Sequence, residues 1–372
     1  MKGLLFSILI LVFGGVSCIE HEKENKLEFI KKPIPKIEVK YAKGFEVEYK
    51  DGFVIIRTHS FSENETFADS IYLVFDNKVK IADNSKTVFL NKNSRLACQS
   101  STHLAYLNVL FKLKNVCGLC GLDYVTNPET LDSLINNDVK ELCLTGQVQL
   151  EALYATESNL FLRFPFGNTQ DDIYAKNGIK SLLIAEYLEE TQLARLEWIK
   201  LFGLLVGEVE LANNYFNKVE KEYLDLVQKT KGLNKTFIMN LPFKDNWFMP
   251  TEKSVGVQLI KDSGLDYYYQ NELGTENSLH SKEAVWQDGT MADYWIIIAL
   301  RPPNFSLVDL LKEEEVYKEF LSVKNKHVIF CNVGEVDYFA EGIVEPNIVL
   351  KDLLFATGQI SNHQPKYFHV LD

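Results

Sequence analysis

Three groups of residues have types and spacings that could do chemistry. The first is Ser100-Ser101-Thr102-His103, where hydroxyls and an imidazole stand together as a nucleophile and its base must. A hydrolase would also need a turn that presents the serine and an acid that orients the imidazole. The 372 residues contain no G-x-S-x-G elbow, and no Asp or Glu is placed to orient His103. The second group is Cys117-Gly-Leu-Cys120, by its spacing half of a zinc site or a dithiol pair. No second C-x-x-C and no H-x-x-x-H partners it, and Leu113, Val116, Leu119 and Leu122 around it read as buried strand. These thiols are therefore expected to be small buried hydrophobes. The third group is the carboxylates, 51 in all, with no pair at matched strand ends. The seven His, at 21, 59, 103, 280, 327, 363 and 369, lack the clustering that bare Zn²⁺ or Mn²⁺ would need. The expectation is a protein that is no enzyme, holds no resident metal and carries no cofactor. An exported hydrolase and a free-metal-ion binding protein stand as the lesser alternatives.

Cys18, the first of the six cysteines, stands where an apolar run stops and a charged run begins. Lys2 gives a positive start, Leu4 to Val16 carry no charge, and the small residues Val16 and Ser17 precede the cysteine. That is the pattern of a secretory signal, residues 1–17, too short to span a bilayer. A cysteine at the cleavage point resembles a bacterial lipobox, whose thiol is acylated, although Gly15 stands where Leu is usual. Residues 18–40, with Pro33 and Pro35, then read as a lipid-anchored tether. Removing the leader takes away only Lys2 among the charges, so the exported chain stays strongly acidic, close to the −12 of the whole. That sign argues against nucleic acid as a partner. With 24 Phe and 17 Tyr there is apolar material for two cores, and no later run approaches spanning length.

The elements that must position these residues follow from the pattern. EVEYK and FVIIRT flank Asp51-Gly52, a hairpin signal, and SIYLVF, KTVFL and RLACQSS read as further short strands. Helical and strand patterns then alternate. HLAYLNVLFKL is helical, NVCGLCG a strand, and NPETLDSLI a helix capped by Asn127 with Pro128 at its first position. LEALYA is helical, and NLFLRF and KSLLIA are strands. Beyond residue 233 the alternation resumes with strands KTFIMNLP, DYWIIIAL and HVIFCNV among helices SVGVQLIKDSG, SKEAVW and PNIVLKDLLFATG. Two α/β bodies are expected, 41–190 and 233–372. Between them, in 191–232, the apolar positions Val209, Ala212, Phe216, Val219, Tyr223 and Leu226 form one helical stripe. A helix over 208–229 would span about 33 Å. Gly232 is its expected C-cap, and it should be stiff enough to limit lobe movement.

The segment EYLEETQLARLEWIKLFGLLVGEVELANNYFNKVEKEY resembles the bridging region of the substrate-binding lipoproteins of ABC importers for iron–siderophore, haem and cobalamin chelates. Glu197, Trp198, Ile199 and Lys200 match that family's Glu-Trp-Ile-Lys, while Ala194 replaces a glycine. LACQSSTHLAYLNVL, VQLEALYATESNLFL and GIVEPNIVLKDLL resemble further landmarks in the same order, so the resemblance covers about residues 41–372. It implies an α/β fold of two lobes joined by one long rigid helix, with a ligand cleft between them. It also implies an extracytoplasmic protein that captures a metal chelate, iron–siderophore foremost, with haem or cobalamin as alternatives. Its partners would be an ABC permease and the permease's ATPase, its address the periplasm on a lipid anchor at Cys18, with surface exposure as an alternative, and its state a monomer. Loops at the carboxyl ends of strands should line the cleft. These supply Ser100, Ser101, Thr102, His103, Tyr124, Arg163, Phe164 and Phe166 from the first lobe, and Trp247, Met249, Tyr338 and Glu341 from the second. Arg163 would meet an anionic oxygen of the chelate and Trp247 would stack on a flat surface. Carried over residue by residue, permease docking falls on Glu151 and Glu283, each opening a short helix ahead of an apolar strand.

Overall fold

A computed structural model describes residues 36–59, 68–75, 81, 86–90, 93–164, 173–270 and 277–372. The leader, the tether to residue 35, Cys18 and Phe166 lie outside the described residues.

The chain first forms a small sheet. Phe45–Lys50 and Phe53–His59 pair antiparallel about Asp51-Gly52, with Gly52 at φ 80°, and Ala68–Val74 adds antiparallel on the far side. Alternate residues Val54, Ile56 and Thr58 are buried, the period of a sheet with one wet face.

Two larger sheets follow, one in each lobe. The first has the order Ser181–Leu183, Leu160–Arg163, Leu96–Cys98, Val116–Leu119, Lys140–Glu141, and all its pairs are parallel. The second has the order Asp266–Tyr267, Thr236–Met239, Tyr294–Ala299, Val328–Asn332, His369–Val370, parallel except for the last pair. Their central strands read as unbroken apolar runs because helices cover both faces. Leu160, Phe161 and Leu162 in one, and Trp295, Ile296 and Ile297 in the other, are wholly buried. The helices start where the sequence marks them. Asn127 accepts from Thr130 N at 3.0 Å to cap Pro128–Asn136, and Ser281 accepts from Ala284 N to cap Lys282–Gly289.

Between the sheets in sequence lie two helices, Gln192–Val206 and Val209–Lys229. Gly207, at φ 72°, ends the first and reverses the chain. The helices meet closely because position 203 is glycine: a Cβ there would stand 2.6 Å from the Ala212 Cβ. The expected stripe is buried at Val209, Ala212, Phe216, Val219 and Tyr223. Gly232 is not the cap, however; Thr230 already has extended backbone and the helix stops at Lys229.

The Glu-Trp-Ile-Lys motif has a visible task here. The Glu197 carboxylate, fully buried, accepts the backbone N–H groups of Lys40 at 2.9 Å, Tyr41 at 2.6 Å and Ala42 at 2.8 Å, and the Lys200 ammonium at 2.7 Å. Glu189 accepts Lys43 N, Gly44 N and the Trp198 indole N–H in the same way. Lys200 also donates to Glu38 O, and Tyr41 donates to Glu220 of the second helix. Residues 36–44 are thus strapped across the helix pair by paired and hydrogen-bonded charges, the form in which buried charge is tolerable.

Candidate functional site

The first sheet's carboxyl ends deliver three loops, beginning at Gln99, Cys120 and Phe164, and the second's deliver loops at Asn240, Leu300 and Val333. The two sets meet. Helix Thr102–Val109 of the first lobe packs on helix Glu341–Val344 of the second, and between them runs a crevice lined by Ser101, Leu104, Ala105, Asn108, Val125, Thr130, Asp337, Ala340 and Glu341. Asn127 spans it: its carbonyl oxygen caps its own helix while its amide donates to Glu341 at 2.5 Å. The free volume is about 10 Å³, one water position, whereas a bound organic ligand needs about 300–1,000 Å³. The lobes are therefore in contact along this line.

Helical geometry decides which residues face the crevice. Ser101, Leu104, Ala105 and Asn108 recur at three and four residues and form one face; His103, Tyr106, Leu107 and Leu110 form the other. His103 is accordingly a correction. It is fully buried, with its ring 6.0 Å from Phe202 of the bridging pair, and burial pushes its pKa down to about 3. Neither ring nitrogen has a hydrogen-bond partner. Thr102 also turns inward, donating to Glu186 at 2.6 Å. Glu186 is fully buried, and desolvation raises its pKa.

Trp247 is a second correction. It lies in a strand, Asn246–Met249, paired antiparallel with Ser278–Ser281. The period of two turns Asn246 and Phe248 out and Trp247 and Met249 into the core. Trp247 is wholly buried, its indole donating to Met239 O at 2.8 Å, with no face left for a ligand. Arg163 is a third. Its guanidinium holds Asp69 of the small sheet at 2.9 Å, with both side chains nearly buried, and lies 5.5 Å over the Tyr174 ring. Nothing in the sequence marks Asp69 as its partner. Phe164 stacks on Tyr187. Tyr338 packs edge-on against Tyr367 and Phe368 within the second lobe, so its neighbours Asp337, Ala340 and Glu341 face the crevice instead.

Ser101 lies in the crevice wall, and Tyr124, which precedes the wall residue Val125 in sequence, is 79 % exposed. Phe339, which precedes Ala340 of the opposite wall in sequence, is 61 % exposed and packs edge-on against Tyr338. The loop that carries Tyr124 is fixed from below. Cys120 is bonded to Cys143, and Glu141 accepts Gly121 N, Leu122 N and Cys143 N. Cys120 is thus neither a free buried thiol nor the partner of Cys117, whose thiol donates to Leu96 O inside the sheet. The disulfide joins two strand ends 23 residues apart, a pairing that spacing alone does not mark. Glu151 and Glu283 are both exposed in first helical turns, one on each lobe. Among the described residues, no helix is long and apolar enough to cross a membrane.

No family profile matches the chain. An uncharacterized lipoprotein of Methanocaldococcus jannaschii is 26 % identical over 289 residues, 74 % of this chain and 67 % of that protein. Among solved structures, a periplasmic binding protein of Veillonella parvula superposes with a TM-score of 0.61 at 14 % identity, over 82 % of this chain and 99 % of that one. A periplasmic haem-binding protein of Pseudomonas aeruginosa gives 0.56 at 11 % identity, over 75 % and 98 %. The triscatecholate siderophore-binding protein of Bacillus subtilis, complexed with ferri-bacillibactin, gives 0.55 at 13 % identity, over 73 % and 94 %. Two parallel-sheet lobes, a helical bridge and a crevice at the strands' carboxyl ends agree with that likeness: the chain has the two-lobed fold of the periplasmic substrate-binding proteins of ABC importers.

Proposed function

We propose that the protein is an extracytoplasmic substrate-binding protein that captures a metal chelate, an iron–siderophore foremost, and presents it to an ABC permease whose ATPase supplies the work. Haem and cobalamin are the alternatives within the same class. The observation that carries the reading is the crevice itself. It lies between the carboxyl ends of two separate parallel sheets, on opposite lobes, and the exposed aromatics Tyr124 and Phe339 adjoin its wall residues Val125 and Ala340 in sequence. Neighbours of this fold include a siderophore-binding and a haem-binding protein, which supports the ligand class. The lobes are 41–190 and 233–372, the bridge 191–232, and the chain acts as a monomer. Residues 1–17 are its signal and Cys18 its lipid anchor, in keeping with the lipoprotein relative.

Titration of the purified protein with ferric siderophores, haem and cobalamin, read by tryptophan quenching and absorbance, tests the reading. Saturable micromolar or tighter binding of one ligand is expected; no binding by any of them would remove it. Glu151 and Glu283 are the permease contacts. The double variant Glu151→Ala, Glu283→Ala should abolish uptake and leave ligand affinity unchanged, and normal uptake would reject that assignment. Cys18→Ala should release the protein from membranes or block its processing.

A further inference from the structure

Resting on that reading, we infer that Arg195 is the anion-binding residue at the floor of the crevice, and that the captured chelate carries a pendant carboxylate which its guanidinium holds. Helix Gln192–Val206 packs on both walls, on Thr102–Val109 of the first lobe and on Glu341–Val344 of the second, and Arg195 stands in its opening turn. Tyr106 fixes the backbone there, its hydroxyl donating to Arg195 O at 2.7 Å. Burial raises the pKa values of Glu186 in the first lobe and Tyr338 in the second, and the Arg195 charge opposes the rise at both. The guanidinium therefore lies within electrostatic reach of both lobes. The residue as a whole is only half-buried, yet its Nε is sealed from solvent and has no hydrogen-bond partner.

Other cations around the crevice already have carboxylate partners. Lys366 holds Glu341 at 2.9 Å and Glu345 at 2.6 Å, Arg163 holds Asp69 at 2.9 Å, and Lys200 holds Glu197 at 2.7 Å. Arg195 has no such partner among the described residues. Glu186 is the obvious candidate, but Thr102 takes its Oε1 and its Oε2 is bare, so the two unpartnered atoms do not satisfy each other. The acids of the wall do not fill the role either: Glu341 is held by Asn127 and Lys366, and Asp337 accepts Ala340 N at 3.2 Å. A buried donor without an acceptor is costly to keep, which marks a group whose partner arrives from outside. The chemistry of that partner follows from the donor. Nε–H and one Nη–H of a guanidinium form a planar fork, which a carboxylate meets with two parallel hydrogen bonds. A pendant carboxylate is also the slimmest part of a chelate, the part that a crevice with about 10 Å³ of free volume admits with least displacement of its walls.

The test titrates the full-length protein with two matched pairs. One is haem against its dimethyl ester. The other is an amine-bearing ferric trihydroxamate succinylated on that amine, which adds a carboxylate, against the acetylated form, which is neutral. In any pair that binds, the carboxylate member should bind about tenfold or more tighter, a preference that salt narrows. Arg195→Met should remove the preference by weakening the carboxylate member alone. Arg195→Lys, which keeps the charge and loses the fork, should retain part of it. If Arg195→Met misfolds, Arg195→Lys and the salt dependence of the unaltered protein carry the test. Equal binding within the pairs, a preference that outlives Arg195→Met, or equal weakening of both members by it would overturn the inference. So would failure of both pairs to bind while another chelate of the titration above does; in each of these cases the proposed function stands. Failure of every chelate to bind would overturn both.

Discussion

Replacing Glu197 by Ala should loosen the protein at its bridge without touching the crevice. In the folded chain this carboxylate is fully buried and satisfies three backbone N–H groups of the strap as well as the Lys200 ammonium. Its removal leaves Lys200 buried beside the Phe216 ring, 3.9 Å from the centroid, without its counter-charge. Stripping one member from a buried ion pair costs about 3–5 kcal/mol. The orphaned N–H groups could add about 1–3 kcal/mol each, but the strap can lift into water and satisfy them there, which caps the total near the lower figure. At about 2–4 °C per kcal/mol for a chain of this order of size, the melting temperature should fall by about 10 °C. Thermal denaturation followed by circular dichroism measures it, and limited trypsin digestion should cut at Lys40 and Lys43 once the strap is free. Glu220→Ala, which removes the acceptor shared by the exposed Lys40 ammonium and the Tyr41 hydroxyl but leaves the buried Glu197 pair intact, serves as the control and should shift the melt less. A Glu197→Ala protein that melts within about 2 °C of the parent, with Lys40 still protected, would refute the strap.

Three further outcomes are expected. His103 is held neutral down to about pH 3 against an ordinary 6.5, so the unfolded chain takes up the proton first as pH falls. Its contribution is complete above that ordinary value and is lost on acidification, by about 2 kcal/mol between pH 7 and pH 5. His103→Leu should lose that share of the acid sensitivity; Glu186 and Glu189, whose pKa values burial raises, act in the opposite sense, so the parent–variant difference over this range is the quantity to read. Cys120→Ser with Cys143→Ser should destabilise the protein by up to about 3 kcal/mol, and alkylation of Cys120 in the denatured, unreduced parent would show that the disulfide is absent. Trp247→Phe should lower the melting temperature and leave chelate affinity unchanged, whereas a large loss of affinity in a folded variant would return Trp247 to the cleft.

Much of the architecture is legible in the chain because it rests on local signals. The Asp51-Gly52 turn, the Asn127 cap and the stripe from Val209 to Tyr223 each act through neighbours a few residues away, and each stands in the structure as read. The site was less legible because it depends on which way a side chain turns. His103 and Ser101 are two residues apart on one helix start, and only the position of Phe202 decides which of them meets the crevice. Trp247 reads as a loop aromatic until its strand finds Ser278–Ser281 as a partner, after which alternation forces it inward. Arg163 and Asp69 are 94 residues apart, and Cys120 and Cys143 are 23 apart, so no local pattern connects either pair. Glu341 was within reach of the strand-end rule, but its contact with Asn127 joins residues 214 apart.

The strap also determines where a mechanical load enters the molecule. Any pull arriving at residue 36 passes through the carboxylates of Glu197 and Glu189 into the two bridging helices, not into either sheet. Those helices lie between the two sheets in the chain. A pull entering there therefore bears first on the segment that joins the lobes, through side-chain carboxylates rather than through a strand ladder.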